Sequence, residues 1–191
     1  RHISTTKADV QAAAGSRYGP TAMLAGFTEA LERGEPFAFI GKPCDISAAK
    51  LFGRKDVRVG ALVKYWLTPV CGGYMPPEGM EEFLSARDFS REDLTAFLYR
   101  GRGCPGPTSV ATAERSEDYT YLDVWGDGNG GWHLPWRCKV CPDGIGEAAD
   151  IAASDTWIGG SPNAADSETD PGTNALVVRT KAGQEIYEAA V

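Results

Sequence analysis

The chain has 191 residues, of which 42% are hydrophobic and 24% are charged, and its formal net charge at pH 7 is −7. This composition and length are typical of a folded globular protein, and we predict one domain over residues 1–191. The acidic charge argues against nucleic-acid or anionic-membrane binding, because phosphate-rich surfaces attract basic proteins.

No apolar run reaches the roughly 18 residues that a membrane span requires, and no secretory signal pattern follows Arg1. We therefore expect a cytoplasmic protein. Because the sequence begins at Arg1 and not at methionine, we also expect it to be a portion of a longer protein. Its five cysteines are an odd number in a chain too large to need disulfides for stability, so a disulfide framework is not expected.

The first element with a clear pattern is an amphipathic helix over Ala22–Arg33. Its apolar residues Leu24, Phe27 and Leu31 recur at spacings of three and four, and Gly34 is typical of a helix end. The loop before it, Gly15–Thr21, contains glycines and an arginine. Such a loop either binds a phosphate through backbone N–H groups and Arg17, or is an ordinary connection capped by Ser16 or Thr21.

Two strand–loop–helix units follow, and successive units of this kind predict a parallel sheet with right-handed crossovers. The predicted elements are a strand at Pro36–Ile40, helices at Ile46–Phe52 and Asp56–Lys64, a strand at Tyr65–Val70 and a helix at Pro77–Ala86.

Cysteines follow both of these strands. Cys44 comes after Gly41-Lys42-Pro43, and Cys71 precedes Gly72-Gly73. Because parallel strands end at the same edge of a sheet, where ligands bind, we expect both thiols to face one crevice. The alternative is two buried structural cysteines.

The remaining pattern completes an α/β fold with a central mixed, partly parallel sheet, flanking helices and an antiparallel hairpin. The predicted strands are Leu94–Arg100, Thr108–Ala113 and Tyr119–Val124 as a hairpin, Ala149–Ser154 and Asn174–Thr180, and a last helix runs to Ala190. The polar, acidic segment Gly159–Gly172 is predicted to be a loop.

A C-x-x-C motif, Cys138 and Cys141, lies between the hairpin and the next strand, and three tryptophans precede it: Trp125, Trp132 and Trp136. The aromatic residues either belong to the core or shield a cofactor from water. Two thiolates from the motif and two from the strand ends match the ligand count of a 4Fe–4S cluster and of a structural zinc site. Zinc ribbons usually pair two C-x-x-C motifs, so the lone Cys44 and Cys71 favour the cluster.

At this point a succession of sequence blocks resembles the C-terminal part of the coenzyme F-420 hydrogenase/dehydrogenase beta-subunit family. The blocks, in chain order, are GSRYGPTA, FAFIGKPCDI, VCGG, YRGRGCPGP, RCKVCPDGIGEAADIAASDTW and NALVVRTKAG. The resemblance implies an iron–sulfur flavoprotein oxidoreductase. It would pass electrons between a 4Fe–4S cluster and FAD, and to or from an organic substrate such as a deazaflavin, with a hydrogenase or dehydrogenase partner subunit.

The resemblance also implies site residues. It assigns Cys44, Cys71, Cys138 and Cys141 to the cluster and leaves Cys104 out. For the flavin it implies Gly15, Ser16, Arg17, Tyr18, Thr21, Lys42, Asp150, Asp155 and Trp157. Lys42 would stabilise a reduced, anionic flavin or would be an ordinary solvated lysine. The alternative to this function is a zinc-stabilised interaction domain of an enzyme complex, without redox activity.

Overall fold

The computed structural model describes residues 3–125, 134–157 and 169–191. In chain order its helices are α1 Lys7–Ala12, α2 Phe27–Glu32, α3 Pro43–Phe52, α4 Arg58–Leu62, α5 Pro77–Ser85, α6 Tyr121–Trp125, α7 Trp136–Lys139 and α8 Lys181–Ala190. Its strands are β1 Phe37–Ile40, β2 Val63–Pro69, β3 Ala96–Leu98, β4 Thr108–Ala111, β5 Ser116–Tyr119, β6 Ile151–Thr156 and β7 Thr173–Val178.

The larger sheet, sheet A, has the strand order β1-β2-β6-β7. Strand β2 is parallel to both β1 and β6, whereas β7 is antiparallel to β6. The predicted α/β fold with a mixed, partly parallel sheet is therefore confirmed. Strands β1, β2 and β6 end at the same edge of sheet A, which we call the carboxyl edge.

The main hydrophobic core lies between sheet A and helices α2, α3 and α4. Leu31 of α2 and Ile46 of α3 are almost fully buried, with exposures of 1% and 0%. The ring of Phe39 in β1 packs edge-on against Phe27 at 5.2 Å and Trp66 at 5.7 Å between centroids. Each such side chain contributes about 1.5–3 kcal/mol on burial, so this core fixes α3 on the sheet.

Sheet B is a smaller antiparallel sheet in the order β3-β4-β5. It covers a second hydrophobic cluster in which Phe83 and Leu84 of α5 pack with Phe89, Val110 of β4 and Val124 of α6. A hairpin is present as β4 and β5, but β5 lies before the predicted second strand Tyr119–Val124 and shares only Tyr119 with it.

Two predicted elements differ from the structure. The helix predicted over Ala22–Arg33 is a 3-10 turn at Met23–Gly26 followed by α2, and neither Ser16 nor Thr21 caps it. Of the strand predicted over Tyr119–Val124, only Tyr119 is in a strand, as the last residue of β5, and α6 begins at Tyr121. Thr120 and Asp123 explain the second change, because each accepts a hydrogen bond from the backbone N–H of the other, the reciprocal pattern of a capping box.

Most of the predicted loop Gly159–Gly172 lies outside the described residues, which resume at Thr169. Within the described ranges, no helix is long and apolar enough to span a membrane.

Candidate functional site

The carboxyl edge of sheet A carries both lone cysteines of the βα units. Cys44 is the second residue of α3, which follows β1, and Cys71 lies two residues beyond the end of β2. The backbone N–H of Gly41 donates to Leu67 O at 3.1 Å, which holds the turn after β1 against β2. The structure thus places Cys44 and Cys71 at one edge, as the succession of βα units predicts.

The C-x-x-C segment packs against the residues that follow β2. Cys138 lies in α7, and the backbone N–H of Cys71 donates to Gly144 O at 2.8 Å. Gly73 has a φ of +121°, which favours glycine, and a Cβ atom built on it would lie 3.5 Å from Cys138 Cβ. The chain segments of three of the four predicted cluster ligands are therefore in contact.

The sulfur atoms of Cys71 and Cys141 lie close to backbone oxygens in their own loops. Cys71 Sγ lies 3.9 Å from Gly73 O, and Cys141 Sγ lies 3.4 Å from Asp143 O. Among residues 3–125, 134–157 and 169–191, no group of three or more His, Cys, Asp or Glu side chains could hold a metal ion. The four thiols fit an iron–sulfur cluster in residue type and in their placement at one edge. Their convergence to ligating distance on a bound cluster stays a prediction.

Three residues of the implied flavin set meet around an arginine that the sequence pattern does not identify. Nη1 of Arg100 donates to Tyr18 Oη at 3.1 Å and forms an ion pair with Asp155 Oδ2 at 2.5 Å. The guanidinium carbon lies 5.6 Å from the ring centroid of Trp157 and 6.0 Å from that of Tyr121. We call Arg100, Tyr18, Asp155, Tyr121 and Trp157 the Arg100 cluster.

The side chain of Arg100, at the centre of the Arg100 cluster, is more buried than that of Asp155, and its other partners are partly exposed. The side chain of Arg100 is only 12% exposed. Burial acts to lower the pKa of Arg100, but the hydrogen bonds with Tyr18 and Asp155 outweigh burial, so its pKa is raised and the guanidinium stays charged. Burial also raises the pKa of Tyr121 to about 12, so this phenol stays neutral at physiological pH. The cluster therefore combines a fixed cation with neutral aromatic faces.

The Tyr18 loop, Gly15–Thr21, is anchored to the carboxyl edge. Tyr18 O accepts a hydrogen bond at 2.6 Å from the backbone N–H of Met75, four residues beyond Cys71. The ring of Tyr18 packs edge-on against Tyr99, with the centroids 5.6 Å apart. Arg17 is close enough to Tyr99 to oppose the rise in the pKa of that phenol that burial causes. The predicted phosphate loop and the predicted cluster residues thus belong to one region.

The side chain of Lys42 is partly buried and is held by two partners. Its ammonium group forms an ion pair with Asp45 Oδ2 at 2.7 Å and donates to Thr21 Oγ1 at 3.1 Å. Thr21 consequently joins the end of the Tyr18 loop to the start of α3. The interpretation of Lys42 as an ordinary solvated lysine is wrong, because its side chain is 24% exposed and has these two partners.

Asp150 lies at the opposite end of β6 from Asp155. It precedes β6 and is 6% exposed, and its Oδ2 accepts from Trp66 N at 2.8 Å while its Oδ1 accepts from Thr180 Oγ1 at 2.6 Å. At about 3.3 Å per strand residue, roughly 16 Å separate Asp150 from Asp155 along β6. Both carboxylate oxygens of Asp150 are thus engaged within the fold, and we leave Asp150 out of the flavin contacts that we propose.

We expect Cys104 not to be a cluster ligand, and the tryptophans either to pack in the core or to shield a cofactor. Cys104 Sγ accepts from Arg100 Nη2 at 3.5 Å, and burial raises the pKa of its thiol. Trp136, at 76% exposed, does not shield the C-x-x-C segment, and Trp132 lies outside the described residues. The aromatic wall near the site is instead formed by Trp157 and Tyr121, whose ring centroids are 6.5 Å apart.

Comparison with known proteins shows the family of the chain. The family described as the C terminus of the coenzyme F420 hydrogenase/dehydrogenase beta subunit matches residues 34–191. The chain belongs to this family. Membership confirms the resemblance, and five of the six sequence blocks lie within the matched residues.

A chain of the F420-reducing [NiFe] hydrogenase complex from Methanosarcina barkeri has a similar fold, with a TM-score of 0.65 and 18% sequence identity. The match covers 98% of the present chain and 60% of the hydrogenase chain. The present chain therefore spans about 60% of the length of that chain. No curated protein matches the sequence.

Proposed function

We propose that the chain is the flavin- and cluster-binding portion of an oxidoreductase of the F420 hydrogenase/dehydrogenase beta-subunit family. In this proposal it passes electrons between a 4Fe–4S cluster and FAD, and to or from an organic substrate such as a deazaflavin. The observation that carries the proposal is the match of residues 34–191 to this family, and the hydrogen bond from Met75 N to Tyr18 O supports it by joining the Tyr18 loop to the segment that begins with Cys71.

Cys44, Cys71, Cys138 and Cys141 would be the cluster ligands. Support comes from the shared carboxyl edge of Cys44 and Cys71 and from the contact between the segments of Cys71 and Cys138. Thiolates are the usual ligands of such clusters, and when bound the cluster supplies one-electron transfer while the flavin supplies hydride transfer. Cys104 would not be a ligand, since its thiol bonds to Arg100.

The Tyr18 loop and the Arg100 cluster would hold FAD. Backbone N–H groups and Arg17 suit the pyrophosphate of FAD, which is an anion. The rings of Trp157 and Tyr121 suit the flat, largely apolar isoalloxazine, because apolar walls with a few fixed polar groups are typical of cofactor sites. Lys42 would then act on the flavin only at the Thr21 end of the loop, where Asp45 offsets its charge.

The proposal includes the setting of the chain. All five cysteines are free thiols, which suits a reducing compartment such as the cytoplasm. The solved structure with a similar fold is part of a hydrogenase complex, so we propose that the present chain is the C-terminal portion of a longer subunit that works with a hydrogenase or dehydrogenase partner.

Anaerobic purification of the full-length protein tests this function. We expect a brown preparation with broad visible absorbance, about four iron and four sulfide per chain, and extractable FAD. A colourless protein with one zinc per chain and no flavin would instead establish the structural alternative. Cys138→Ser should lower the iron content, and its matched control Cys104→Ser should not.

A further inference from the structure

We infer that Arg100 is a positioning residue that fixes the Tyr18 loop against the carboxyl end of β6 and thereby determines how tightly the protein holds FAD. This inference rests on the proposed function, because it concerns the same flavin region. It assigns a role to a residue in the glycine-rich connector between β3 and β4 that neither family membership nor the residue pattern identified.

The contacts of Arg100 join segments that are distant in the sequence. Its Nε donates to Pro105 O at 2.9 Å, which fixes the guanidinium on its own connector. Its Nη1 bridges Tyr18 Oη and Asp155 Oδ2, at 3.1 and 2.5 Å. One planar group therefore holds the Tyr18 loop, the β3–β4 connector and the end of β6 in a fixed relation.

Arginine is the side chain suited to this task. Its guanidinium is planar, presents several N–H donors in a fixed geometry and can stack on aromatic rings, whereas lysine has a flexible side chain that ends in a compact charge. Trp157 and Tyr121 lie near the guanidinium carbon, at 5.6 and 6.0 Å between that carbon and the ring centroids. A lysine would keep the ion pair with Asp155 but could not reproduce the donor geometry and the ring contacts together.

Loss of Arg100 should weaken flavin binding more than it lowers the stability of the fold. The main hydrophobic core consists of other residues, between sheet A and helices α2 to α4. Without Arg100 the Tyr18 loop keeps its backbone bond to Met75 but loses the tie to Asp155. The two walls proposed to enclose FAD would then no longer be held at a fixed separation, and the entropy cost of ordering them would weaken binding.

The experiment compares variants of the full-length, anaerobically purified protein. FAD is removed, and the dissociation constant for FAD is measured by flavin fluorescence during readdition, together with iron content and visible circular dichroism of the bound flavin. Arg100→Gln and Arg100→Lys are the test variants. Arg102→Gln is the matched control, because Arg102 lies in the same connector, is 61% exposed and pairs with Asp118.

We expect Arg100→Gln to raise the FAD dissociation constant at least about tenfold, as loss of charge-assisted hydrogen bonds should, with iron content unchanged. Arg100→Lys should lie between Arg100→Gln and wild type, and Arg102→Gln should match wild type. The flavin dichroism should change in Arg100→Gln even when FAD saturates the protein, because the ring environment is altered.

Asp150→Asn separates positioning from general destabilisation. It weakens the fold at the opposite end of β6, so we expect it to lower the unfolding temperature without changing FAD affinity. The inference about Arg100 is overturned, and the proposed function is not, by either of two results. One is an equal loss of FAD affinity in Asp150→Asn and Arg100→Gln, and the other is an Arg100→Gln affinity within about twofold of wild type. A wild-type protein that binds no FAD would overturn the proposed function and this inference with it.

Discussion

Replacing Asp150 by alanine tests the reassignment of this residue from the flavin pocket to the fold. The carboxylate is 6% exposed and accepts hydrogen bonds from Trp66 N and Thr180 Oγ1, at 2.8 and 2.6 Å. Trp66 lies in the middle of β2 and is itself 8% exposed, so its N–H would be left without this acceptor inside the sheet. The Thr180 hydroxyl belongs to an exposed residue and can turn to water.

The expected cost of Asp150→Ala follows from these two bonds. A buried donor left unpaired costs about 1–3 kcal/mol, and loss of the bond from the more exposed Thr180 adds about 0.5–1 kcal/mol. We therefore expect the free energy of unfolding to fall by about 1.5–4 kcal/mol. For a chain of this size, about 1 kcal/mol lowers the melting temperature by about 2–4 °C, so the shift should be roughly 3–16 °C.

Urea denaturation followed by far-ultraviolet circular dichroism measures this change. Asp150→Asn keeps an oxygen that can face Trp66 N and should cost only about 1 kcal/mol. Asp118→Ala is the control, because its carboxylate is 41% exposed and its ion pair with Arg102 is worth at most about 1 kcal/mol. The hydroxyl of Ser109, which donates to Asp118 Oδ1 at 2.6 Å, belongs to a partly exposed residue and can turn to water. The reasoning is refuted if Asp150→Ala is no more destabilising than Asp118→Ala, or if Asp150→Asn loses FAD while its stability is unchanged.

Three other predictions concern glycine packing and cysteine chemistry. Gly146→Ala should lower the free energy of unfolding by about 1–3 kcal/mol, because Gly146 has a φ of +73° and a Cβ there would overlap Thr68 Cγ2. Gly60→Ala should instead raise the free energy of unfolding by about 0.5–1 kcal/mol, because Gly60 lies in α4 and its Cβ would have nothing within 4 Å. Denaturant titration distinguishes the two, and similar values for both would contradict the packing argument. Iron analysis should show a sharp loss in Cys138→Ser and none in Cys104→Ser, and equal losses would contradict the ligand assignment. Because burial raises the pKa of the Cys104 thiol, its thiolate fraction at neutral pH is lowered, and its alkylation rate should still be rising above the ordinary thiol value of about pH 8.5; a plateau below that pH would contradict this shift.

The fold could be predicted where the signal is local. The apolar run at Phe37–Ile40 and the following turn predicted a strand and helix, and the parallel pairing of β1 with β2 follows from the repeated unit. The boundaries of α6 were not predicted because its aromatic residues favour a strand, although the capping signal of Thr120 and Asp123 three residues apart was available.

The site could be predicted only in part, because its partners come together through tertiary contacts. Arg100 meets Tyr18 and Asp155, which are 82 and 55 positions away in the sequence, and no spacing rule connects them. Asp150 illustrates the reverse case, of two residues close in sequence but distant in the fold. It stands close to Asp155 in the sequence, but an extended strand separates the two carboxylates, and a buried carboxylate with two donors serves the fold.

The central claim is that cluster and flavin share the carboxyl edge of sheet A. The most direct measurement is a crystal structure of the anaerobic full-length protein with anomalous scattering recorded at the iron edge. We predict iron beside Cys138 and Cys141, and flavin density between the Tyr18 loop and Trp157. Anomalous signal at the zinc edge only, or flavin bound away from the carboxyl edge, would contradict the claim.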